Sequence, residues 1–192
     1  MNRWIVALTI LLPLAAVAPV TEAQAEGTKP VQFSLWAPAQ WPDIDTNVSG
    51  LRLNLLYGVS NEVRGVSLGL VNRSTGSFKG LEYGGASIVD GDFSGFQWTF
   101  VYNKTAGIFV GWQSALVNLS GTFTGVATGA YNQADTGNGL QLGLVNNTKS
   151  FEGVQIALFN QTENMHGLQI GIINIIKSKE KLSLFPIVNW KF

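Results

Sequence analysis

Apolar and polar residues alternate along short stretches of the chain, and these stretches recur at a fixed interval. The three clearest copies read GLQLGLVNNT, GVQIALFNQT and GLQIGIINII, and they begin at Gly139, Gly153 and Gly167. With the glycine counted as position zero, positions one, three and five are apolar, whereas positions two and four hold glutamine and a small residue. A period of two is typical of a β-strand with one apolar face, and no helical spacing is present. We expect each copy to be one strand of about seven residues followed by a polar turn.

The same unit extends backwards over most of the chain. Nine units begin at Gly50, Gly65, Gly80, Gly95, Gly111, Gly125, Gly139, Gly153 and Gly167, with spacings of 14 to 16 residues. Position four is Gly, Ala or Thr in all units but one, position seven is most often Asn, and the residue two before the glycine is apolar in all units but one. Agreement in three separate columns makes a tandem repeat the organising feature of the sequence.

These columns predict how the units pack. Positions one, three and five, together with the apolar residue two before the glycine, are expected to fill the core, so that Leu168, Ile170 and Ile172 form the buried face of the last unit. The small residue at position four is expected on the outer face. Asn174 and its equivalents are expected to form a ladder, in which the amides of successive strands bond to one another.

Two all-β architectures can use a unit of one strand, and we predict a β-solenoid of nine tandem strand-turn repeats of 14–16 residues. In a solenoid each unit is one coil, and equivalent residues stack about 4.8 Å apart. The alternative is a small outer-membrane-type antiparallel β-barrel of about ten strands. In such a barrel the natural period is a hairpin of two strands, whereas every connector in this chain has the same character.

The C-terminal segment is the part of the sequence that favours the barrel. LSLFPIVNWKF alternates and ends on an aromatic residue, as the last strands of bacterial outer-membrane barrels do, and with the nine units it makes an even number of strands. However, positions one to five cover only about 14 Å of strand, which is short of the apolar band of about 25 Å that these barrels need. Flanking residues such as Glu152 and Asn160 would then lie in lipid.

The segments outside the repeat complete the division of the chain. Residues 1–25 combine Arg3, an apolar stretch and the small-x-small sequence AQA, which predicts an export signal cleaved after Ala25. Residues 26–49 carry Trp and Pro and are expected to cap the first unit, because an open stack of repeats must cover its end. Residues 50–180 form the repeat domain, and residues 181–192 form a C-terminal strand that caps the other end.

The amino-acid composition excludes several classes of function. The formal net charge is zero and only 12% of residues are charged, so the basic stripe of a nucleic-acid-binding protein is missing. The chain has no cysteine, which excludes disulfides, thiolate metal ligands and a cysteine nucleophile.

Residues with catalytic or metal-binding chemistry are few, and we predict no catalytic, cofactor-binding or metal site. The single histidine, His166, lies in a polar connector and has no second histidine with which to hold zinc. Asp43 to Asn47 read DIDTN, which imitates the start of a calcium loop but lacks its glycine and distal glutamate, so a turn is expected. Asp90 and Asp92 are also read as turn residues.

Two further groups of residues have structural interpretations. Six Asn-x-Ser/Thr sequons are read as a by-product of the repeat, which places Asn next to Ser and Thr: Asn47, Asn72, Asn103, Asn118, Asn146 and Asn160. Four aromatic residues cluster in units 4 and 5, namely Phe96, Trp98, Phe100 and Trp112. We predict that this aromatic cluster packs in the core, and a carbohydrate-stacking surface is the alternative.

The repeat and the C-terminal segment together resemble a known family. Residues 139–146, 153–160 and 167–174 follow the form G-Φ-Q-Φ-G/A-Φ-Φ-N, where Φ is apolar, and residues 186–192 read PIVNWKF. Residues 50–63 are similar to the family's opening unit. This combination resembles the bacterial surface-repeat proteins first named from spirochaetes, which also occur in other Gram-negative lineages. The resemblance implies an exported, surface-associated protein and no known activity, and units 3 to 5 depart from the pattern.

We therefore expect an exported, non-enzymatic repeat protein of the outer membrane or cell surface, with a structural or adhesive role. Its expected partner is the outer membrane or another surface component, and the periplasm is the other compartment considered. The alternative is a small integral outer-membrane barrel that acts as a pore. We expect no cofactor and no nucleic acid partner, and the sequence does not identify a small-molecule ligand.

Overall fold

The computed structural model describes residues 27–192, which form one nine-stranded sheet and contain no helix that could span a membrane. The strands are β1 (Thr28–Trp36), β2 (Ala39–Trp41), β3 (Asn47–Ser60), β4 (Val63–Ser74), β5 (Phe78–Val89), β6 (Phe93–Ser114), β7 (Val117–Ile156), β8 (Phe159–Ile176) and β9 (Leu184–Lys191). Strands β6 to β8 are long because extended backbone continues from one unit into the next. The predicted export signal, residues 1–25, lies outside the described residues.

Neighbouring repeat units run parallel and in register. Gly50 pairs with Gly65, Gly65 with Gly80, and Gly80 with Gly95. Near the other end Gly153 pairs with Gly167 in the same way. The prediction of a β-solenoid is therefore confirmed, and the ten-stranded barrel is wrong, because successive strands of such a barrel would pair antiparallel.

The glycine that begins each unit occupies a corner that only glycine fits. The nine glycines have φ between +124° and +145°, a region that residues with a Cβ rarely adopt. A Cβ on Gly167 would also lie 2.9 Å from the carbonyl carbon of Gly153, in the coil beneath. The repeat keeps its glycine because both the backbone angle and the contact between coils require it.

One predicted core column is confirmed. The residues two before each glycine are buried, and they are Val48, Val63, Phe78, Phe93, Phe109, Phe123, Phe151 and Met165, with Gly137 in the remaining unit. Phe78 stacks on Phe93 with ring centroids 4.9 Å apart, and Phe93 stacks on Phe109 at 5.1 Å. These separations are close to the strand spacing, so in-register stacking of coils also stacks the rings.

The other predicted core columns are wrong, because positions one, three and five point outward. In the last unit Leu168 and Ile170 are half-buried and Ile172 is 65% exposed, whereas Gln169 and Asn174 are completely buried. The small residue at position four also points inward rather than outward. Alternation shows which residues share a face, but it does not show which face is inside.

The expected asparagine ladder is confirmed and lies inside the coils. From Asn103 onward each side-chain amide donates to the side-chain oxygen of the next asparagine, at 2.8–2.9 Å, through Asn118, Asn132, Asn146, Asn160 and Asn174. The small column at position four leaves space for this ladder, since a Cβ on Gly171 would lie 2.8 Å from Nδ2 of Asn160. Ser87 interrupts the ladder, and the neighbouring Asn72 Nδ2 has no partner.

A second polar network joins glutamine at position two to Ser or Thr at position nine. Gln169 donates to Gln155 at 2.9 Å and to Thr162 at 3.0 Å, and Gln155 donates to Gln141 at 2.7 Å. Five sequons arise because Asn and the Ser or Thr two residues later both point into the interior. Asn72, Asn103, Asn118, Asn146 and Asn160 are all 0% exposed. This burial explains why the sequons follow the repeat and makes five of them inaccessible for glycosylation in the folded chain.

Both ends of the solenoid carry an antiparallel strand. β1 pairs parallel with β3, and β2 folds back antiparallel on β1. β9 pairs antiparallel with β8, opposite residues 167–175. The N-terminal segment and the Pro186 segment therefore supply backbone hydrogen bonds to the outermost coils.

Removing one amide from the ladder should destabilise the solenoid. Asn146 accepts from Asn132 and donates to Asn160, each at 2.9 Å. Asn146→Ala leaves the side-chain oxygen of Asn160 buried without its donor, and we expect a loss of about 3 kcal/mol in unfolding free energy, given roughly 1–3 kcal/mol for each unsatisfied buried group. Urea unfolding followed by circular dichroism measures the change. The exposed Asn138→Ala, in the same region, serves as the control, and equal effects of the two substitutions would contradict a stabilising ladder.

Candidate interaction surface

One face of the solenoid presents apolar side chains to the solvent. These are the outward residues at positions one, three and five, and we call them the apolar face: Leu51, Leu53, Leu55, Val66, Leu68, Leu70, Leu81, Tyr83, Phe96, Trp98, Phe100, Trp112, Leu116, Val126, Ala130, Leu140, Leu142, Leu144, Val154, Ile156, Leu158, Leu168, Ile170 and Ile172. The remaining three positions hold Gly85, Ser114 and Thr128. The face therefore carries no charged residue across the nine units.

The end strands extend the apolar face in both directions. Phe33 of β1 lies opposite Leu53 and also opposite Trp41 of β2. At the other end Trp190 of β9 lies opposite Leu168. If each of the nine units is counted as one strand, the face crosses twelve strands, namely β2, β1, the nine units and β9. It measures about 53 Å along the solenoid at about 4.8 Å per strand.

Within the nine units, the most exposed apolar column belongs to a ridge along one edge of this face. Positions five and six both point outward, which shows that the chain bends there, because side chains alternate along a straight strand. We call these two columns the apolar ridge. Its position-five members are 54–68% exposed, namely Leu55, Leu70, Phe100, Leu116, Leu144, Leu158 and Ile172. Its position-six members are Leu56, Val71, Ala86, Val101, Val117, Tyr131, Val145, Phe159 and Ile173.

The aromatic cluster lies on the apolar face and not in the core. Trp98, Phe100 and Trp112 are 45–57% exposed, and Phe96 is half-buried. Phe96 contacts both tryptophans edge-on, with ring centroids 6.0 Å from Trp98 and 5.2 Å from Trp112. The predicted core packing of this cluster is wrong, because its members alternate in phase with the outward positions of the repeat.

The apolar face is concave near its N-terminal end. A groove of about 900 Å³ opens where β2 folds back over β1, and its lining includes Phe33, Leu35, Trp41, Leu53 and Leu68. Its lining is mostly apolar and contains no charged residue. The groove is therefore continuous in position and chemistry with the rest of the face.

The charged residues lie mainly on the other faces of the solenoid. Exposed ion pairs join Arg73 to Asp90 at 2.9 Å and Lys149 to Asp135 at 2.7 Å. A neighbouring carboxylate raises the pKa of each of these two basic groups. Since such exposed pairs contribute little to stability, their main consequence is a solvated surface outside the apolar face.

The residues considered for chemistry lie at the surface of the solenoid. His166 is exposed, and its ring meets that of Phe192 edge-on at 6.2 Å. The backbone carbonyl of Asp43 accepts from the backbone amide of Thr46 at 3.0 Å, as expected of a turn. The side-chain carboxylate of Asp92 accepts from the backbone amide of Ile108 at 2.7 Å. Within residues 27–192 no three His, Asp or Glu residues are grouped so that they could hold a metal ion.

One buried ion pair was not anticipated from the sequence. Arg52 and Glu82 occupy position two of units 1 and 3, and their side chains meet at 3.1 Å with both fully buried. Burial raises the pKa of Glu82, which Arg52, Ser87 and Gln97 oppose, and burial lowers the pKa of Arg52, which Glu82 opposes. Because no solvent reaches either group, the pair acts within the fold rather than on a substrate. The signal that could have identified it is the replacement of glutamine by opposite charges in one column.

A scan against protein-family models and searches of curated proteins and of solved structures each gave no match for this chain. The resemblance to surface-repeat proteins therefore stays a prediction.

Removing either partner of the buried ion pair should destabilise the first three coils. Arg52→Met leaves the Glu82 carboxylate buried without a cation, and Glu82→Gln leaves the guanidinium without an anion, so we expect each to cost about 3–5 kcal/mol. The double variant should cost less than the sum of the single variants, because it leaves no unpaired charge. Urea unfolding of the four chains measures this coupling, and additive effects would show that the two charges do not depend on each other.

Proposed function

We propose that this protein is an exported, non-enzymatic repeat protein of the outer membrane or cell surface, and that it acts by binding another component through its apolar face. The observation that carries this proposal is the uncharged apolar face across twelve strands. Large exposed apolar patches on a folded chain mark sites of protein or membrane interaction. A structural or adhesive role fits a rigid surface of this kind.

The interior of the solenoid supports a role that depends on shape rather than on chemistry. Its polar side chains are bonded to one another in ladders, and its buried ion pair is closed to solvent. No three His, Asp or Glu residues within residues 27–192 are placed so that they could hold a metal ion.

The pore alternative loses its structural basis. It required antiparallel strands around an open lumen, whereas the units are parallel and their interior is filled by side chains such as Phe93, Gln155 and Asn160. The surface location rests on the export signal predicted at residues 1–25 and on the resemblance described above.

Cell fractionation tests the location. The full chain, expressed in a Gram-negative host, should lose residues 1–25 and be recovered with the outer membrane or on the cell surface. A chain that starts at Glu26 after an initiator Met should remain in the cytoplasm. N-terminal sequencing locates the cleavage site, and protease treatment of intact cells reports surface exposure. Recovery of the uncleaved full chain in the cytoplasm would contradict the proposal.

A further inference from the structure

We propose that the partner of the apolar face is a lipid bilayer, with the apolar ridge inserted among the acyl chains of one leaflet and the solenoid axis parallel to the membrane. This inference rests on the proposed function, since it names the component that the face binds. It is carried by the size, the shape and the charge of the surface.

The apolar surface is larger than the apolar patch that a soluble monomer usually exposes. Positions one to five span about 14 Å of strand, and twelve strands span about 53 Å, so the face measures about 740 Å² in projection. The largest apolar patch on a typical monomer measures about 300–600 Å². The ridge adds the position-six side chains to this area. We therefore expect another molecule to bury this surface.

The shape of the surface favours acyl chains over a second copy of the chain as the partner. The most exposed apolar column lies at a bend of the coil, where Leu144 and Val145, or Leu158 and Phe159, point outward in succession. A second copy placed flat against positions one and three would leave position six in water. Acyl chains can surround both sides of a convex ridge, as they surround the apolar side of a helix that lies about 5–10 Å deep in the membrane interface.

The charge of the surface identifies the kind of lipid contact. The face itself is uncharged, and the adjacent column, one residue before the glycine, holds both signs, including Arg64, Lys79 and Glu152. A protein that binds anionic headgroups presents a cluster of basic residues instead. Burial of apolar side chains therefore has to drive the binding, so the protein should bind neutral bilayers and high salt should not release it.

Vesicle flotation tests this directly. The chain from Glu26 is used, because residues 27–192 contain the whole solenoid and the apolar stretch within residues 1–25 would itself bind lipid. We expect it to float with phosphatidylcholine vesicles equally well at low and at high sodium chloride. Its tryptophans, which are 45–58% exposed in solution, should be quenched by vesicles whose acyl chains carry bromine.

Charged substitutions on the ridge give the matched comparison. Leu144→Glu with Leu158→Glu should lower vesicle partitioning by about a hundredfold, at roughly tenfold for each lost leucine contact. Thr136→Glu with Ser150→Glu adds the same charge at exposed positions away from the ridge and should bind as the unchanged chain does. Circular dichroism verifies that all three chains keep their strands.

Three results would overturn the proposal. The first is absence of flotation and of bromine quenching with neutral vesicles, a result that does not depend on any variant. The second is binding only to anionic vesicles with release at high salt. The third is a stable dimer in sedimentation that does not float and that the ridge variants dissociate, which would make a second copy the partner. Each of these leaves the cellular location to be decided by fractionation, so the two proposals can fail separately.

Discussion

The structure depends on one constraint, which is that every coil must lie directly above the coil before it, in parallel and in register. The corner glycines impose this constraint on the backbone, because the carbonyl of one glycine occupies the space where a Cβ of the next would lie. The amide ladder imposes it on the side chains, since Asn132, Asn146 and Asn160 can bond to one another only at the spacing of adjacent strands. A shift of register by one residue would break both arrangements at once.

This constraint also explains why the interior is polar. A coil of 14 residues encloses only a few inward side chains, and most of these lie beside their equivalents in the coils above and below. An amide can use its donor on one neighbour and its acceptor on the other, so Gln155 and Asn146 are satisfied although they are buried. The phenylalanine column adds apolar burial at the side of the interior where the rings can stack. With the amides inside, the aliphatic residues of the alternating pattern are left outside.

The solenoid as a whole is therefore amphipathic, as a surface helix is on a smaller scale. Its charged and turn residues occupy one part of the circumference, and the apolar face and ridge occupy another. In most soluble proteins an outward aliphatic residue is isolated and has no special meaning. Here the outward apolar residues of successive units lie side by side and form a continuous column. One apolar position in the unit therefore produces an apolar surface along the whole solenoid.

The amino-acid sequence by itself determined the period and the strand-turn unit, because spacing and the glycine and asparagine columns are properties of the chain read in one dimension. Its uniform connectors favoured a parallel stack but left the antiparallel barrel open, and only the pairing of neighbouring units in space decided between the two. The sequence also determined that Phe93 and its equivalents share a column and that Asn174 belongs to a ladder. Only the tertiary structure decided which side of the strand faces inward, because a period of two is the same from either side. For that reason Leu168 lies on the outside and Gln169 on the inside, the reverse of what was expected, and Trp98 lies on the surface rather than in the core. Arg52 and Glu82 are 30 residues apart in the sequence, and only the stacking of the coils brings their side chains together.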